Sequence, residues 1–137
     1  MDKKPKHLEL IQGVINRLST NSFLLKGWSV VLVSALFALA APESRPAFVY
    51  LAYIPAIVFW GLDGYFLWQE RLYRSLYDHV RTQDEADIDF SMDISSYKGD
   101  RGRTWGEAVL SRILVAFHGV LIFAVFVVMV LALAKGR

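Results

Sequence analysis

Charge is segregated along this 137-residue chain in a way that few folds tolerate. Of its 28 lysine, arginine, aspartate and glutamate side chains, only Lys26, Asp63 and Arg112 fall within segments 23–41, 47–68 and 110–134, which together make 66 residues. The other 25 crowd into the remaining 71. These apolar runs are 19, 22 and 25 residues long, and a helix needs roughly 20 residues to cross about 30 Å of hydrocarbon. The expected fold is therefore all-α, an integral membrane protein with three transmembrane helices, and not a soluble enzyme with a large core.

What remains outside the spans is about 70 residues in several pieces, too little for a separate catalytic domain. The chain has no cysteine, which excludes disulfides, thiolate catalysis and cysteine metal sites. A formal charge of +2, with bases and acids interleaved in the polar segments, gives no reason to expect nucleic acid. No nucleotide-binding glycine loop, serine nucleophile elbow or metalloprotease motif is present, and His7, His79 and His118 share no metal-ligand spacing. No enzyme activity, cofactor or metal is expected.

Orientation follows from the basic residues, which favour the cytoplasmic side. Twelve of them flank one side: Lys3, Lys4, Lys6, Arg17 and Lys26 before or at the first span, and Arg71, Arg74, Arg81, Lys98, Arg101, Arg103 and Arg112 between the second and third. Arg45, Lys135 and Arg137 remain for the other. A bacterial inner-membrane location with the N-terminus inside and the C-terminus outside is expected. Ala38-Leu39-Ala40 fits a small-x-small cleavage pattern, but the region before the apolar run is long for a signal peptide, so a retained anchor is expected.

Residues 5–19 read as an amphipathic helix, with Leu8, Ile11, Ile15 and Leu18 on one face. The polar stretch Ser19–Ser22 reads as a break before the first span, 23–41. The two prolines of 42–46 predict a tight turn, and Ser34, Ala38 and Ala41 offer small-residue packing. The second span, 47–68, continues as a helix to about residue 82, roughly 54 Å in all. Trp68, Leu72, Tyr73, Leu76, Tyr77 and Val80 form an apolar stripe on that cytoplasmic extension. A docking stripe of this kind needs a cover, either the N-terminal helix or another subunit. Residues 83–103 form a cytoplasmic loop, and the Thr104-x-x-Glu107 spacing of a capping box opens a helix over 104–134 that contains the third span.

An acid inside a span is costly and seeks a partner. Asp63 lies in the inner part of the second span, at a level shared with Lys26 and His118, so these three predict an inner-leaflet polar cluster. Trp60, Tyr65 and Ser29 are available as further hydrogen-bond partners. Pro55 removes one helix hydrogen bond, so a kink is expected near the middle of the second span, and Gly61 and Gly64 give a notch beside Asp63 where another backbone can approach or the helix can bend. The acids Asp84, Glu85, Asp87, Asp89 and Asp93 lack the ligand order of an EF-hand loop and read as a solvated surface.

The layout over residues 5–82, a short amphipathic helix followed by a transmembrane hairpin with a cytoplasmic continuation, resembles the SLATT class of bacterial membrane effectors. The third span departs from that two-span pattern. Asn21-Ser-Phe-Leu-Leu-Lys-Gly-Trp28 and Phe59-Trp-Gly-Leu-Asp-Gly-Tyr-Phe66 also resemble stretches in small uncharacterised bacterial membrane proteins, some accompanying defence proteins with TIR domains. The resemblance implies an oligomeric, signal-responsive effector or pore-type component. Its partners would be the lipid bilayer, further copies of the chain, and a cytoplasmic protein or small ligand. The alternative is a non-catalytic accessory subunit that anchors or regulates a larger complex.

Overall fold

The structure, a computed structural model, describes residues 2–40 and 46–135. The turn expected over 42–46 lies outside them except for Pro46, as do Ala41, Arg45 and Arg137. The described residues form helices without strands: α1 (Lys3–Ala40), α2 (Pro46–Thr82), the short α3 (Trp105–Val109) and α4 (Arg112–Lys135). Three of them, α1, α2 and α4, are long and apolar enough to cross a membrane. Helix α2 is the centre, with α1 packed along it and α3 and α4 contacting it elsewhere, while α1 and α4 touch only slightly.

No break separates an N-terminal helix from the first apolar run, contrary to the reading of Ser19–Ser22. α1 is continuous for 38 residues, and the reason lies in the register of its inner face. His7, Ile11, Ile15, Ser29, Val33 and Ala40 are all buried, and Ser22 and Lys26 fall four and three residues apart on the same stripe. The polar residues are thus interior contacts in phase with the apolar ones. Thr20 also satisfies itself inside the helix by donating its hydroxyl to the carbonyl of Asn16 at 2.9 Å.

Two apolar cores result. At the apolar end, Val33 and Ala40 of α1 meet Val49, Ala52 and Ala56 of α2 and Val125 of α4. The buried alanines let the helices approach closely. Ser34 and Ala38, which offer small-residue packing, lie on the exposed face of α1. At the polar end, Ile11 and Ile15 join Leu72, Leu76, Val80, Ile88 and Ile94. Large apolar side chains cover the outside of the long helices, including Phe23, Trp28, Ile54, Ile57, Ile113, Val120 and Phe123, each more than half exposed. Such a surface fits a membrane location, because water would oppose it over so large an area.

The helix expected over 104–134 is divided. Thr104 caps α3, its hydroxyl oxygen accepting from the Glu107 N–H at 3.2 Å, and the same hydroxyl donates to the Glu107 carboxylate at 3.0 Å. α3 ends at Leu110, and the Ser111 side chain then accepts the N–H of Leu114 at 3.4 Å as α4 begins. A second capping serine inside the run, which apolar periodicity does not reveal, starts a new helix.

Candidate functional site

Between the two cores, three helices converge on one carboxylate. Asp63 of α2 is fully buried. Its Oδ2 accepts from Lys26 Nζ of α1 at 2.7 Å and from His118 Nε2 of α4 at 2.8 Å. Its Oδ1 accepts the hydroxyl of Ser22, which in turn accepts from Lys26 Nζ at 2.9 Å. Removing a carboxylate from water costs several kcal/mol, and an adjacent ammonium with further donors offsets that cost. Each long helix supplies at least one partner, so the cluster ties all three together.

The structure therefore brings Lys26, Asp63 and His118 together, and adds Ser22. Its signal was present in the sequence: Ser22 precedes Lys26 by four residues and shares its helix face. Of the further partners considered, Trp60 stacks on the His118 ring, with centroids 5.9 Å apart and planes 8° apart. Its indole N–H donates elsewhere, to the carbonyl of Val109 at 2.9 Å. Tyr65 is 45% exposed and outside the cluster. Ser29 is buried, but its hydroxyl has no partner among the described residues. His118 Nδ1 is likewise buried without a partner among the described residues. The arrangement is an electrostatic clamp that joins the three long helices.

The glycine notch is occupied from within the chain. A Cβ at Gly64 would lie 2.4 Å from Val109 Cγ2 of α3, so the absence of a side chain is what seats α3 here. At Gly61 the carbonyl accepts the Trp105 indole N–H at 3.0 Å. Trp68 donates to the carbonyl of Arg103 at 2.6 Å. Three indoles thus fasten the 103–109 segment to α2. Pro55 lies inside α2, which continues through it.

Of the two covers expected for the docking stripe, the N-terminal helix is the one found, joined by the following loop. Leu72, Leu76 and Val80 are buried in the polar-end core, and Trp68, Tyr73 and Tyr77 pack against it. Their cover is α1 together with Ile88, Met92, Ile94 and Tyr97 of the following loop. Amphipathic spacing shows that a face must be covered but not by what. Here the chain covers it itself.

The loop is held by its own acids. Asp89 Oδ1 accepts the Ser91 N–H at 3.0 Å and Asp93 Oδ1 the Ser95 N–H at 2.9 Å, the side-chain turns that aspartate favours. The Ser95 N–H holds the Asp93 carboxyl below the usual carboxylate range, while burial pushes the Tyr97 hydroxyl up. Glu85 caps α1 from far along the chain, accepting the N–H groups of Lys3 at 2.7 Å and Lys4 at 3.2 Å. Glu85→Ala is expected to cost about 1 kcal/mol, seen as faster amide exchange in the first turn of α1. Unchanged exchange over residues 3–6 would contradict this capping role.

Beside the loop lies a polar cavity of about 220 Å³ lined by His7, His79, Gln83, Asp89, Asp93 and Tyr97, among others. His7 closes one wall, its Nε2 2.8 Å from the carbonyl of Ser91. Compared with protein families, curated proteins and solved structures, the chain gives no match, and its role rests on the chemistry of these residues.

Proposed function

We propose that this chain is a non-catalytic bacterial inner-membrane effector that self-associates through its spans, with the polar end on the cytoplasmic side acting as its sensor. One observation carries the reading. α1 and α2 each run unbroken from the polar-end core into the apolar bundle, and the Lys26–Asp63–His118 clamp sits where the two meet. Rigid helices transmit a displacement at one end to the other, whereas a flexible joint would absorb it.

On this reading the clamp holds the spans in a closed bundle, and a ligand or protein acting on the polar end shifts the balance toward an open one. The polar cavity beside His7 is the natural receiving site. Three helices are too few to enclose a wide aqueous channel, so permeabilising a membrane requires several copies. Ser34 and Ala38, spaced four residues apart on the exposed face of α1, suit close contact with another copy. The alternative of an accessory subunit loses its best surface, since the Trp68–Val80 stripe is already covered.

Mass measurement in lipid nanodiscs, combined with dye release from vesicles, tests the proposal. The expected result is a multimer whose release activity falls when Ala38→Leu blocks the close contact. A strict monomer at every protein-to-lipid ratio would overturn it.

A further inference from the structure

A second cavity, about 530 Å³, opens between α1, α2 and α4 at the boundary between the polar end and the apolar bundle. We propose that it binds the phosphate headgroup of an anionic phospholipid. Its lining is divided by chemistry. Lys26, Arg71 and Arg74 supply cations and Ser19 a hydroxyl, while Phe23 and Ile113 supply apolar surface.

The charges in it are unequally engaged. Lys26 is bound to Asp63 at 2.7 Å. Glu70, the acid in the lining, is bound to Arg74 at 3.0 Å. That leaves Arg71. Arg71 as a residue is of intermediate burial, and among the described residues its guanidinium has no hydrogen-bond or ion-pair partner. Arginine's planar fork is matched to the oxygens of a phosphate, and a cavity-lining guanidinium without a counter-ion favours an anionic ligand.

Phe23 and Ile113 identify the source of that anion. They are 75% and 70% exposed beside the cations, so the site presents apolar surface next to positive charge. A free phosphate would use only the cations, whereas a phospholipid would use both. The level also agrees, because Phe23 opens the first apolar run and Leu67 lies one residue from the end of the second. With three spans inserted as the sequence predicts, this level meets the headgroups, where basic pockets between helices bind anionic lipid. The inference rests on that membrane reading.

The full chain is first fractionated with and without detergent, and the detergent-extracted protein is then examined by native mass spectrometry with phosphatidylglycerol, phosphatidylcholine or glycerol phosphate. Retention of phosphatidylglycerol over the other two is expected. Arg71→Gln is expected to weaken that retention about tenfold or more, the consequence of losing a charged hydrogen bond. Arg71→Lys should fall between, and Arg81→Gln, at a site that pairs with Asp78, should change nothing. Equal retention by Arg71→Gln, equal binding of phosphatidylcholine, or equal binding of glycerol phosphate would each overturn the lipid site while leaving the membrane location intact. Recovery of the chain without detergent would overturn both.

Discussion

Asp63→Ala is expected to destabilise the helix bundle by about 3–5 kcal/mol, the usual cost of breaking a buried ion pair by removing one partner. The loss is large because two groups are stranded together. Lys26 loses its counter-ion with only 18% of its side chain exposed, and the fully buried His118 Nε2 loses its partner. Asp63→Asn should lose less, since an amide oxygen still accepts a hydrogen bond but no longer neutralises the ammonium. Thermal unfolding in detergent measures both. A double-mutant cycle with Lys26→Met isolates the pair itself, and a coupling of about 0.5–3 kcal/mol is expected for side chains in contact. Strict additivity would mean that the clamp contributes nothing as a unit.

At Gly64 the expected loss is about 1–3 kcal/mol on substitution by alanine. Two effects oppose each other. Alanine favours a helix over glycine by up to about 1 kcal/mol, but its Cβ would sit 2.4 Å from Val109 Cγ2 and 3.3 Å from Val109 Cα. A branched side chain and a backbone atom cannot both yield cheaply, so overlap wins and α3 must move. The Trp60 bond to the Val109 carbonyl, 2.9 Å long, would loosen with it. Val109→Ala removes the nearest atom and should restore most of the loss in the double variant. Gly61→Ala provides the contrast, because its Cβ would meet only Trp105 Cζ2 at 3.7 Å, an ordinary contact. There the helix preference of alanine should prevail and stabilise the chain. Loss of stability at Gly61 equal to that at Gly64 would show that backbone approach is not what selects glycine.

The readings that succeeded and failed differ in physical kind. Lys26, Asp63 and His118 were legible as partners because a charge or imidazole inside an apolar run has no water to satisfy it, and their depths could be counted from the span ends. Ser22 was not, because a hydroxyl in a polar stretch looks satisfied wherever it lies. Only its phase with Lys26 and Ser29 on the inner face of α1 betrays it. The same phase explains why Ser19–Ser22 does not break the helix. Trp68, Leu72, Tyr73, Leu76, Tyr77 and Val80 announced a face needing cover, yet α1 and the 88–97 loop were as suitable on periodicity as a second protein. The Glu85 cap joins groups 82 residues apart, and nothing local to either end foretells it.

By itself the sequence determined the element types, the three long apolar helices and the level at which the ionisable side chains lie, because hydropathy, helical period and capping chemistry act between residues close along the chain. Tertiary structure alone decided that Ser22 reaches Asp63 across a separation of 41 residues, that Val109 fills the space at Gly64, and which of the possible covers lies over the aromatic stripe. Those outcomes depend on how each helix is rotated and how far it slides against its neighbours. Many small contacts set that geometry jointly, and no short segment contains them.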